Sequence, residues 1–273
     1  MKPLARTILV VVCVGLFAAF VAWRSHVSAT TKPRTDGLVV DLTTSHSADR
    51  TKACLAVPGI SETVLAQAGS RPGARLIVLA LGDSASAGEP VPLSRDDALP
   101  ARIALSTGED VLRRQQAAYL AALYGNCLRA PHPEYSAIYL GVERALESLR
   151  SRGCNTGVGC ALWVATDGEE NAQLALKQRL DGLSTTQSGP IAPLDNAGID
   201  VHFCGLAEIS VDSEKRSTSR GRRAAFRGRN AGRVAQVWRS IFTAPNSVYF
   251  APFCPQPTKP EDYMRGSVES ANR

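Results

Sequence analysis

Aromatic side chains are scarce, at 6% of 273 residues. The one strongly basic stretch, Lys215–Arg233, holds a single aromatic, Phe226, so it offers no stacking platform for single-stranded nucleic acid. No CxxC pair is present, and no histidine stands at ligand spacing from a cysteine, which argues against a zinc site. His46, His132 and His202 likewise have no nucleophile or second ligand at a recognisable spacing. Internal repeats are absent. Hydrophobic residues, by contrast, make up 44% of the chain, enough for a genuine core. The length suits one domain of ordinary size with appendages, or two small ones.

At the amino terminus, Lys2 and Arg6 precede an apolar run from Thr7 to Trp23. That run is longer than the apolar part of a usual signal peptide, and it reads as a single-pass anchor in the inner membrane with the bulk of the chain periplasmic. Cleavage after Ala29 would instead secrete the chain. Residues 30–36 read as a linker, and residues 256–273, with prolines, charge and little hydrophobicity, as a disordered tail. Cys54, Cys127, Cys154, Cys160, Cys204 and Cys254 remain outside the apolar run. An even number in an exported domain implies disulfides, although six cysteines allow about 15 pairings. Cys154 and Cys160 bracket a short glycine-bearing loop and form the first pair to expect.

Between these ends, strands alternate with helices. Strands are expected at Leu38–Asp41, Arg75–Leu81, Ala161–Thr166, Ile199–Cys204 and Val248–Phe250, with a short edge strand at 101–105. Apolar periodicity predicts helices from Thr107 to Leu128, over 136–152, near 173–183 and over 231–242. The Pro58-Gly59 pair divides 48–67 into two short helices. The pattern describes a doubly wound, mostly parallel sheet with helices on both faces, occupying residues 37–255.

Two of these strands end unusually. Leu38-Val39-Val40 runs into Asp41, with Thr43 and Ser45 alternating behind it, and Ala161–Thr166 runs into Asp167-Gly168. Burying a carboxylate at the end of an apolar run is costly unless something pairs with it. Continued strand geometry would point Asp41, Thr43 and Ser45 the same way. Neighbouring strands that each deliver an aspartate at the carboxyl end would build a site on one rim of the sheet.

Asp41-Leu42-Thr43-Thr44-Ser45 resembles the DxSxS loop of von Willebrand factor A domains, and Thr166-Asp167-Gly168 resembles their TDG loop. Ser136-Ala137-Ile138-Tyr139 with Gly141 is similar to the segment carrying the family's metal-site threonine. Gly198–Gly205 and Trp238–Phe250 resemble later elements. The resemblance implies a divalent-cation site, for Mg²⁺ or a similar ion, built from Asp41, Thr43, Ser45, Ser136 and Asp167. It also implies a non-catalytic function: binding a protein partner that presents an acidic residue. Thr43 stands where serine is usual and Ser136 where threonine is usual, so both keep a hydroxyl. Thr44 replaces a glycine and His46 a methionine, and the β-branched Thr44 fits such a loop less easily.

Two other readings compete. Leu79–Gly88 resembles the GDS block of SGNH-type esterases, with Ser84 as nucleophile. That family's late Asp-x-x-His and its Gly-x-Asn-Asp block are missing, and the nearest base is His202, at the wrong spacing from Asp200. The other is a metal-free docking module. The segment Lys215–Arg233 carries eight Lys or Arg against a whole-chain charge of +6, so positive charge is concentrated there. Such a loop suits anionic lipid headgroups or an acidic protein, and export argues against nucleic acid.

Overall fold

The computed structural model describes residues 34–43, 50–68, 73–81, 89–95, 97–100, 108–131, 136–154, 159–170, 172–206 and 231–263. The chain divides into Met1–Pro33, which lies outside the described residues, and a compact unit beginning at Arg34. The expected anchor and cleavage site therefore fall outside the described residues. Among those described, no helix is long and apolar enough to cross a membrane.

The compact unit is a mixed α/β structure. Its strands are β1 (Thr35–Val40), β2 (Arg75–Ala80), β3 (Val91–Pro92), β4 (Cys160–Ala165), β5 (Ile199–Cys204) and β6 (Val248–Ala251). They form a six-stranded sheet in the order β3-β2-β1-β4-β5-β6, parallel except at β3. The antiparallel edge is Val91–Pro92 rather than the expected 101–105, which lies outside the described residues.

Alternation along β1 divides the core. Leu38 and Val40 face helices α1 (Arg50–Ala68) and α2 (Glu109–Arg129). Val39 faces α3 (Ile138–Ser151), α4 (Leu174–Leu180) and α6 (Ala231–Arg239), a short helix α5 (Thr185–Ser188) lying between α4 and β5. All of β1 is buried, as a strand covered on both faces must be.

Three sequence expectations give way here. First, α1 is one helix with Pro58 inside it, not two. Proline removes the amide that would bond to the carbonyl of Cys54, but Cys54 is tied to Cys127 of α2 by a disulfide. Val57, Ile60 and Val64 are fully buried on either side, so tertiary packing carries the helix through the break. The neighbouring glycine has its own reason, because a Cβ on Gly59 would stand 2.1 Å from the carbonyl oxygen of Pro255.

Second, the linker expected over 30–36 does not extend to its end, because Thr35 and Asp36 are buried in β1. Third, residues 256–263 are not a disordered tail. Thr258 donates its amide and its hydroxyl to Glu62 Oε2, each at 2.8 Å, and the Tyr263 hydroxyl donates to Glu62 Oε1 at 3.2 Å. The Tyr263 ring packs edge-on against Tyr124, and burial with the nearby Glu62 charge pushes its phenol up to about 12. Polar contacts hold this segment, which is why its low hydrophobicity misled.

Cys154–Cys160 pairs as expected, and the other bonds are Cys54–Cys127 and Cys204–Cys254. Three disulfides are the mark of a chain that folds in an oxidising compartment.

Candidate metal centre

The strand order reverses direction at β1, whose neighbours are β2 on one side and β4 on the other. In open α/β sheets, ligands bind outside the carboxyl ends of the strands at such a switch point. Asp41 follows β1 and Thr166-Asp167 follows β4, so both aspartate loops open on this crevice. The pairing continues past the strand ends: the Asp41 amide donates to the Ala165 carbonyl at 2.9 Å.

Asp41 is fully buried. Its Oδ1 accepts from the Thr43 amide (3.0 Å) and the Thr43 hydroxyl (2.7 Å). Its Oδ2 accepts from the Ser136 hydroxyl (2.6 Å) and the Thr166 hydroxyl (2.9 Å). Of the three residues expected to converge, Asp41 and Thr43 meet and Ser45 lies outside the described residues; the meeting has a different cause from the one expected. Strand geometry ends at Val40, and Thr43 reaches Asp41 by folding back in a tight turn of the kind Asp side chains favour. Ser136 sits one residue before the Ala137 cap of α3, so its hydroxyl serves the carboxylate and not the helix end.

On the β4 side, the Thr166 hydroxyl also accepts from the Gly168 amide (3.0 Å), and Asp167 Oδ1 accepts from the Glu169 amide (2.9 Å). Gly168 has φ +81°, where a side chain is strained, and a Cβ there would lie 2.7 Å from Val234. The Gly168 carbonyl accepts from the Trp238 indole at 3.0 Å, fastening the turn to α6.

Of the five expected ligands, the structure brings Asp41, Thr43 and Ser136 into direct hydrogen-bond contact and sets Asp167 one residue beyond the Thr166 hydroxyl. Ser45 lies outside the described residues, as do Ser84, His46, His132 and all of the basic stretch before Ala231.

The oxygen set fits a hard cation. Such ions take carboxylate, hydroxyl and water oxygens, and the donors here are buried hydroxyls around a buried carboxylate. Among the described residues, no three His, Cys, Asp or Glu side chains cluster for a metal, so any ion here would depend on the hydroxyls.

Two residues of this site are missing from the sequence reading. Thr166 belongs to the TDG-like motif but has no role assigned by it. Glu170 is not marked by any motif, although it is buried to 1% exposure. Its Oε2 accepts from the Tyr139 amide (2.6 Å), and its Oε1 from the Ala172 (2.7 Å) and Gln173 (3.0 Å) amides. Burial pushes the Glu170 carboxyl up and the Asp41 charge adds to that, while the three amides pull it down. Consecutive acids after a turn glycine are the only signal for it in the sequence.

His202 stands in β5 between the rings of Trp163 and Tyr249, at centroid distances of 4.5 and 4.9 Å. Burial pushes its pKa down; the Arg34 charge acts the same way, and the Asp200 and Asp36 charges oppose it. An imidazole kept neutral by the fold contributes stability above its unfolded value, near 6.5, and that contribution is lost as pH falls below it. Urea unfolding should therefore show stability dropping on acidification from pH 6.5. His202→Phe keeps a ring in the stack, takes up no proton and should flatten that slope. The difference between the two profiles isolates the imidazole from Asp36 and Glu170, whose raised values act with the opposite sign.

No family model matches the chain, and no curated protein does. Among solved structures, it is similar to the pilus adhesin SpaC of Lactobacillus rhamnosus GG, with a TM-score of 0.45 and 13% identity over 88% of this chain. It spans 30% of the length of SpaC. It is also similar to the vWF domain of the type V pili tip protein Mfa5 of Porphyromonas gingivalis, with a TM-score of 0.39 and 12% identity over 89% of this chain and 96% of that one.

Proposed function

We propose that this chain is an exported von Willebrand A-like binding module. It holds a divalent cation through Asp41, Thr43, Ser45, Ser136 and Asp167 and captures an acidic side chain of a protein partner. The observation that carries this reading is Asp41: a fully buried carboxylate whose donors, among the described residues, are all neutral. These donors satisfy its oxygens without bringing an opposite charge, which a cation bound beside it would supply.

A bound Mg²⁺ would supply a Lewis-acidic position for a partner's Glu or Asp. The chain's own residues do the rest. Asp41 gathers the three hydroxyls of Thr43, Ser136 and Thr166 onto its two oxygens. Thr166 ties that cluster to the Gly168 turn, so Asp167 is presented from a fixed backbone. Residues 7–23 would anchor the module to the membrane, and Lys215–Arg233 would bind anionic headgroups or an acidic protein. For the esterase alternative, the nearest base, His202, is enclosed in a ring stack, which favours the binding reading.

Thermal and urea unfolding with Mg²⁺, with Mn²⁺ and with chelator tests the proposal. At an ion concentration about 100 times Kd, the wild type should gain about 2.7 kcal/mol, and Asp41→Ala should gain nothing. A wild type indifferent to both ions would sink the metal-dependent reading and leave the docking module in its place.

A further inference from the structure

We infer that Glu170 is the positioning residue of this site, holding the Ser136 arm and the Asp167 arm in register. The inference rests on the cation-binding proposal and deepens it. Three chain segments supply the site: the loop after β1 with Asp41 and Thr43, the approach to α3 with Ser136, and the loop after β4 with Thr166 and Asp167. Ser136 bonds to Asp41, which joins the first segment to the second. Thr166 bonds to Asp41, which joins the first to the third. Glu170 closes the remaining side of the triangle. From the β4 loop it reaches Tyr139, in the first turn of α3 and three residues beyond Ser136, with one carboxylate oxygen. The other oxygen holds the amides of Ala172 and Gln173 in its own loop.

The chemistry of this brace calls for a carboxylate. All three partners are N–H donors, and they approach both oxygens. An amide side chain could serve one side and would turn its own NH₂ against the other. The brace also ends at the amino terminus of a 14-residue helix, where exposed amides and the helix dipole favour a negative group. Holding a second acid buried within reach of the Asp41 charge is costly, and the three amides it satisfies offset that cost. An acid here fixes the Ser136 and Asp167 arms, whose oxygens would help to hold the ion. Outer-shell groups of this kind typically change metal affinity about 10–100-fold when replaced.

The test uses the full chain with Mn²⁺ titrated by calorimetry and unfolding followed with and without chelator. It compares wild type, Glu170→Gln, Asp41→Ala and a control, Glu62→Gln. Glu62 likewise accepts hydrogen bonds from Thr258 and Tyr263, but it serves the carboxyl-terminal segment. Glu170→Gln should weaken Mn²⁺ at least tenfold, whereas Glu62→Gln should lower the unfolding midpoint and leave Mn²⁺ affinity unchanged. Affinity of Glu170→Gln within twofold of wild type overturns the positioning role while the metal reading stands. A wild type that binds no Mn²⁺ overturns both. Should Glu170→Gln not fold, amide hydrogen exchange of the wild type decides: Mg²⁺ should slow Tyr139, Ala172 and Gln173 together, and exchange indifferent to the ion counts against the brace.

Discussion

Trp238→Ala should be the most damaging single substitution in the described core, costing about 3–5 kcal/mol of a stability that is typically about 5–15 kcal/mol. Trp238 is fully buried on α6 and packs against Phe203 of β5 at a centroid distance of 5.2 Å. Its indole N–H is also the group that holds the Gly168 carbonyl. Alanine would open a cavity beneath the sheet and release the turn that follows Asp167. Trp238→Phe separates the two roles. It keeps most of the apolar volume and leaves the Gly168 carbonyl without its donor, at a cost of roughly 1–3 kcal/mol. Urea unfolding of both variants measures the difference. If Trp238→Phe costs as much as Trp238→Ala, the indole hydrogen bond dominates, and burial of the ring is not what makes this position critical.

The second large effect concerns Cys54–Cys127. That bond joins positions 73 residues apart, linking α1 to α2. Chain-entropy arguments give about 4 kcal/mol for a loop of that size, against about 2 kcal/mol for the Cys154–Cys160 bond, whose partners are 6 residues apart. The Cys54→Ala/Cys127→Ala pair should therefore destabilise the protein about twice as much as Cys154→Ala/Cys160→Ala, with Cys204→Ala/Cys254→Ala close to the first. Cys54 and Cys127 are both fully buried, so lost packing adds to the effect at that site. Guanidinium unfolding of the three paired variants under non-reducing conditions gives the ranking. A costlier Cys154–Cys160 pair would mean that native-state strain or residual unfolded structure governs, not loop closure.

What can be read from the residues is whatever depends on the alternation of apolar side chains. The strand Ile199–Cys204 has the bounds its sequence predicts, because its apolar run is flanked by glycines at 198 and 205. The ends of β1 and β4 are legible because each apolar run stops at a polar residue bound for the rim. Long-range features are not legible. Nothing local to Pro58-Gly59 announces that a disulfide one turn earlier and the backbone of Pro255 make a continuous helix there. Nothing local to Glu170 announces that its partners include an amide 31 residues away. Hydroxyls and acids that act through backbone amides leave no periodicity, so Thr166 and Glu170 emerge only in three dimensions.

The docking of residues 255–263 bears on where the protein can safely be shortened. An expression boundary after Pro255, which the apolar pattern invites, would discard Thr258 and Tyr263 and strip Glu62 of the donors they supply. Truncation after Tyr263 keeps those bonds and leaves Tyr124 its ring partner. Fragments trimmed at the two places should differ in protease resistance along α1, the shorter being cut first.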